Sequence, residues 1–577
     1  MSTNKEKVII TVKNNTDKSV FIRELINDGY EFHEDRLAKN LCEFFLNEEE
    51  RDQLISDQRV KGIDIKKKKK VLSSAVREGV FTMVNYASTG VKTDPADPAY
   101  QFNPEVVKEY KQWGLMSCAK KSSEPNLVGN PAVSNFIFNN KTGYSLDGSN
   151  VDVVIFDDGV AKWHQEFLGG KNGGSRFKEL DWYAASGVAG SLPSDFYEVG
   201  GSHGTSVASI ICGQTQGWAP KSNIYSMPYA PLIYGGMPPN WPGQTTAFEL
   251  ILGWHRNKAS DNPTIVNMSW GNFSQVLKSN GQVAPMGTQA TPSGGVKADI
   301  NCQMGIPASC NNDEWKMLYP DFPNTAENEI ISELLDAGIV LVAACANNNF
   351  IYAKESSSLL YDFNFDDPDI QGPVYPCRGT FPAVGGGDDG CIAVSNISNN
   401  SELDGGKYFF KKNERCAFGD RIDMFAPGTN ILAGVMGIGQ IPFGEYAIPF
   451  PEKADGGLNQ SFLSSVTGCS FSSPQVAGVL ALWLQANRVP KNSQNRNMQR
   501  NARKWLEKNS IKNSIWEDTS TGTVGDCCGT APLLNYDCSA DQNPVVDSVS
   551  SYIMGDSENK FLFNGFSKES SLMGYET

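Results

Sequence analysis

A doubly wound α/β domain with a mostly parallel central sheet is the fold class this sequence predicts, on three observations. Residues 151–156 and 339–344 are nearly continuous apolar runs, as expected of strands covered on both faces. Each run leads to a polar turn, Asp157-Asp158-Gly159 after the first and Asn347-Asn348-Asn349 shortly after the second. Such turns lie at the carboxyl edge of a parallel sheet, where α/β domains carry their chemistry. Residues 207–212 and 476–484 read as helices, and the second is apolar on all sides, so it belongs in the core.

Taken in order, residues 8–12, 40–46 and 59–65 have strand character, and residues 19–27 and 48–56 have helical character, the latter acidic and amphipathic. This β-α-β-α-β order defines an α+β module over residues 1–105, which includes an exposed linker of five consecutive lysines, Lys66 to Lys70. The α/β domain is placed at residues 106–512. Its second apolar strand is preceded by a helix beginning near Thr325, with Ile330, Leu334 and Leu335 on one face and Gly338 as its stop. Insertions at residues 272–324, 348–374 and 433–466 enlarge the domain. Residues 513–577, with Cys527, Cys528 and Cys538, form a loop-rich extension whose role the sequence does not disclose.

Three separated residues supply a carboxylate, an imidazole and a hydroxyl. Asp157 closes the first strand. His203, one of only four histidines, heads the helix that ends at Gly213. Ser470 precedes Pro474 in the first turn of the apolar helix, where the dipole and a free backbone N–H favour developing negative charge. The order Asp, His, Ser, in the settings Asp-Asp-Gly, His-Gly-Thr and Gly-Cys-Ser-Phe-Ser-Ser-Pro, resembles the subtilisin-like serine proteases, or subtilases. The doubled aspartate is similar to the kexin and furin branch.

This resemblance implies a three-layer subtilisin-like fold and a serine endopeptidase. Asp157, His203 and Ser470 become the triad, and Asn347 becomes the side-chain donor to the oxyanion. It further implies substrate contacts at Ser269, Trp270 and Gly271 on one wall, Val374 at the floor of the S1 pocket, and Asp158 beside a basic P2 side chain. Residues 1–105 resemble the inhibitory propeptide, so the chain's own N-terminal module is an expected partner, with self-processing as its outcome. The chemistry requires no cofactor. Subtilases often bind Ca2+, but Asp362, Asp366, Asp367 and Asp369 read as an exposed acidic loop. The alternative is a catalytically silent subtilase fold serving as a binding or assembly module.

Composition narrows the remaining classes. In 577 residues, 40% hydrophobic and 20% charged, a net charge of −15 argues against a nucleic-acid partner, while protein or peptide substrates are what the resemblance implies. Met1 to Lys7 lacks the apolar core of a signal sequence, and nowhere do eighteen apolar residues run together. The expectation is no membrane partner and a cytoplasmic or virion-associated chain. Thirteen cysteines, an odd number with several in predicted core, do not form a tidy disulfide framework.

Overall fold

The structure, a computed structural model, describes residues 5–65 apart from 14–15 and 36–40, and 146–271 apart from 169–174, 199–200 and 229–240. It further describes 325–347, 352, 390–438 apart from 405–406 and 414–415, 461–516 and 560–562, with short elements within 75–144, 273–320 and 441–449. The chain divides into two compact units, Met1–Ser73 and Ser74–Thr577.

The first unit comprises β1 (Glu6–Val12), α1 (Lys18–Asn27), β2 (Glu31–Asp35), β3 (Leu41–Leu46), α2 (Glu48–Ile55) and β4 (Val60–Ile65). Its antiparallel sheet has the order β2-β3-β1-β4. Alternation of Val8, Ile10 and Val12 with Cys42, Phe44 and Leu46 puts one face of the sheet into a core that Phe21, Leu25 and Leu54 complete. Asp17 caps α1, accepting from the Val20 N–H, and Asn47 and Glu50 form a reciprocal capping box on α2. The extra strand β2 carries Glu31, Glu34 and Asp35, charges that hide an edge strand from hydrophobic patterning.

The second unit is built on β5 (Asp152–Asp157), α3 (Ser202–Cys212), β6 (Asn223–Pro228), α4 (Gln244–Asn257), β7 (Thr264–Met268), α5 (Thr325–Asp336), β8 (Val340–Ala344), β9 (Ile392–Asp404), β10 (Met424–Pro427), β11 (Ile431–Ile438), β12 (Ser461–Val466) and α6 (Cys469–Ala486). Strands β6-β5-β7-β8-β9-β10 lie side by side, every neighbouring pair parallel. The chain leaves β5 through α3 to β6 on one side, then crosses back through α4 to β7 on the other. The winding therefore reverses at β5, and the crevice above its carboxyl end is the topological switch point. The expected α/β class, with its mostly parallel sheet, is observed.

β5, β7 and β8 are buried throughout, so the apolar runs in the sequence are strands covered on both faces. Helix α6 is buried from Cys469 to Leu484, packing against α3 and crossing β7 to β10, while α4 packs against α5. Part of the stretch expected as a third insertion is ordered structure: β11 and β12 pair antiparallel, and Gly434 of β11 exchanges hydrogen bonds with Ser206 and Ser209 of α3. The C-terminal extension adds a strand, Lys560–Phe561, parallel to β10. Among the described residues no helix is long and apolar enough to cross a membrane.

Candidate active site

Asp157 ends β5 with its side chain buried. Its Oδ1 accepts the Asp158 backbone N–H at 2.8 Å and lies 2.7 Å from His203 Nδ1. An ionised carboxylate only accepts, so Nδ1 carries the proton and Nε2 is left for other work. His203 is the second residue of α3, and the approach of α3 to the β5 turn depends on glycine. A Cβ on Gly204 would stand 2.2 Å from the Gly159 carbonyl, and the Gly204 N–H donates to Asp158 Oδ1 at 2.6 Å.

At the head of α6, Gly468 holds φ at +154° against the Asn347 side chain. The next amide, Cys469 N–H, donates to Asn347 Oδ1 at 2.6 Å. That bond fixes the orientation of the Asn347 amide and leaves its Nδ2 hydrogens for a ligand. Ser470 follows, 8% exposed, its Oγ donating to the Ser269 carbonyl at 3.1 Å. The ring of Phe471 lies 5.4 Å from that of His203, joining the α3 and α6 termini. Carboxylate, imidazole, hydroxyl and amide donor thus come from β5, α3, α6 and the loop after β8, all at the carboxyl edge of the sheet.

Residues 148–524 match the model of the subtilase family. The chain belongs to the subtilase family. Two solved structures that the subtilase resembles are a cold adapted subtilisin-like serine proteinase, at 18% identity over 78% of this chain and 97% of that one with a TM-score of 0.37, and fervidolysin from Fervidobacterium pennivorans, a keratinolytic enzyme related to subtilisin, at 16% identity over 88% and 57% with a TM-score of 0.34. No curated protein sequence matches the chain.

Within the subtilase domain the electrostatics centre on His203. Burial pulls its pKa down, but the carboxylates of Asp157 and Asp158 outweigh that and raise it to about 9. Burial, reinforced by the charge of Asp157, raises the Asp158 carboxyl above the usual carboxylate range. Two other histidines have different surroundings. His164 lies among backbone groups, with Nε2 near the Val435 and Phe462 carbonyls and Nδ1 accepting from the Glu166 N–H, and burial lowers it to about 4. His255 bridges Thr264 and the Ala337 carbonyl and is lowered to about 3, chiefly by burial. Asp157, Asp158 and His203 are the one group among the described residues whose three ligand-type atoms lie within 4.8 Å of one another. With the imidazole bonded to Asp157 and Asp158 bonded to Gly204, the group does not fit an all-oxygen Ca2+ site. The acids from Asp362 to Asp369 lie outside the described residues.

Of the expected substrate contacts, Ser269 directs its side chain into the base of α6. Its Oγ donates to the Ser470 carbonyl at 2.8 Å, lies 3.0 Å from Ser473 Oγ and accepts from Asn267 Nδ2 at 2.9 Å. Trp270 is half-buried, and its Nε1–H donates to the Phe156 carbonyl at 2.7 Å while its ring meets Phe156 edge-on at 5.1 Å. The indole therefore braces the residue before Asp157, a tie between β5 and the end of β7 that linear patterning does not reveal. Gly271 is half-buried beside it, and Val374 lies outside the described residues. Sequence reading also missed Cys345 as a neighbour of Cys469: their sulfurs are 3.1 Å apart. Cysteines in adjacent buried segments were the available signal.

Proposed function

We propose that this subtilase is a serine endopeptidase in which Ser470 is the nucleophile, His203 the general base and Asp157 the group that orients and charge-stabilises the imidazole. The observation that carries the reading is the 2.7 Å Asp157–His203 contact, which commits Nδ1 and leaves Nε2 to take a proton. On substrate binding the Ser470 hydroxyl leaves the Ser269 carbonyl and turns to Nε2. As Oγ attacks the peptide carbonyl, its proton passes to His203. The imidazolium returns that proton to the leaving amine, giving an acyl-enzyme, and water repeats the sequence to release the acid. Asn347 Nδ2–H and the Ser470 N–H, unspent in the first turn of α6, receive the oxyanion.

The N-terminal unit, with its antiparallel four-stranded sheet and two helices, is assigned the role of an inhibitor removed by the enzyme itself. Intact mass spectrometry of wild type beside Ser470→Ala tests both statements. Wild type is expected to lose its N-terminal module while the variant stays whole. If both stay whole and wild type takes up no fluorophosphonate, the catalytically silent assembly module becomes the better reading. The hydrogen bond from Ser470 to Ser269, which turns the hydroxyl away from the imidazole, is the observation on that side.

A further inference from the structure

Directly beneath the proposed oxyanion site lies a buried thiol pair that the hydrolytic chemistry does not use. Cys345 follows β8, two residues before Asn347, and Cys469 opens α6, one residue before Ser470. Both are free, 2% and 0% exposed, with their Sγ atoms 3.1 Å apart. That separation is about 1 Å longer than a disulfide bond. Each sulfur also faces the Ala346 carbonyl, Cys469 at 3.3 Å and Cys345 at 3.5 Å, so the peptide joining Cys345 to Asn347 holds the pair together.

We propose that Cys345 and Cys469 form an oxidation site that closes to a reversible disulfide and switches off the adjoining oxyanion site. The oxidant class is a peroxide. The Cys345 thiolate attacks one peroxide oxygen and the O–O bond breaks, giving a sulfenic acid and hydroxide. Cys469 sulfur then displaces the new S–OH oxygen, and the thiol proton leaves with it as water. Two electrons pass from the two sulfurs to the peroxide, and a dithiol returns them.

The assignment of Cys345 as attacking sulfur has support from its surroundings. Burial disfavours its thiolate, but hydrogen bonding with the Cys469 thiol, the Ser395 hydroxyl and the Ala417 backbone, with the Lys412 ammonium a smaller contribution, outweighs that and lowers its pKa, while burial and the neighbouring Cys345 and Cys416 thiols raise that of Cys469. Closure acts on function because the Cys469 N–H holds Asn347 in place at 2.6 Å. Drawing Cys469 toward Cys345 by about 1 Å displaces both proposed donors, and a misplacement of that size costs about 10²-fold in rate.

The loss of activity rests on the protease reading; the disulfide does not. Full-length protein is treated with hydrogen peroxide, desalted, mapped under non-reducing conditions and assayed for fluorophosphonate uptake before and after dithiothreitol. A peptide joining Cys345 to Cys469 is expected, with labelling slowed about 10²-fold and restored by dithiothreitol. Cys345→Ala and Cys469→Ser should each keep their own starting rate through the treatment. A map without that link, or with Cys416 joined to Cys469 instead, overturns the site. Linked protein that labels at the reduced rate overturns the switch. Protein that takes no probe even when reduced removes the protease reading and the switch with it, while the map still decides the thiol site.

Discussion

At the residue scale, the two carboxylates beside His203 determine the pH range in which the proposed base can work. With a pKa near 9, the imidazole is mostly protonated at neutral pH, and only the neutral form accepts the Ser470 proton. Plotted against pH, kcat/KM is therefore expected to rise along a limb centred well above the usual histidine value. Asp158→Asn removes one negative charge that favours the imidazolium, so the limb should move to lower pH; an unmoved limb would exclude Asp158 from this role. Asn347→Ala should lower kcat by about 10²–10³ with little change in KM, the magnitude known for the corresponding donor of subtilisin itself, in steady-state assays on a peptide substrate. Asp157, His203, Ser470 and Asn347 were legible because backbone constraints travel with them: Gly204 and Gly468 stand where a side chain would meet the Gly159 carbonyl or the Asn347 amide. Trp270 and Cys345 were legible only in part or not at all, since their partners, Phe156 and Cys469, are distant in the chain.

At the scale of elements, the site is held by ties between segments. The Trp270 indole joins the end of β7 to β5. In Trp270→Phe an aromatic ring is kept and the hydrogen bond to the Phe156 carbonyl is lost, at a cost of about 0.5–1.5 kcal/mol. Chemical denaturation should register that loss, and kcat should fall with it because Asp157 directly follows Phe156, whose carbonyl the indole holds. Gly204→Ala puts a methyl against the Gly159 backbone, which cannot yield as a flexible side chain would, and should destabilise by about 3 kcal/mol in the same measurement. Of the elements that carry the site, β5, β8, α3 and α6 were readable as strongly apolar stretches. β2 was not, because its charges mark an edge, and the packing of the β11–β12 pair on α3 was not, because it depends on contacts to Gly434 that no local pattern encodes.

At the scale of the whole molecule, the reversal of winding at β5 explains why residues so far apart in sequence share one edge of the sheet. The parallel order β6-β5-β7-β8-β9-β10 cannot be completed from local hairpins, and each pairing waits for an intervening crossover. The order of synthesis then bears on safety. Asp157 and His203 leave the ribosome well before Ser470, by roughly 15–60 s at 5–20 residues per second. Helix α6, which carries the proposed nucleophile and is buried in the core, is made after all six of these strands. On the protease reading, a nascent chain therefore has no means of cutting itself or its neighbours until this buried helix has been made and packed into the interior.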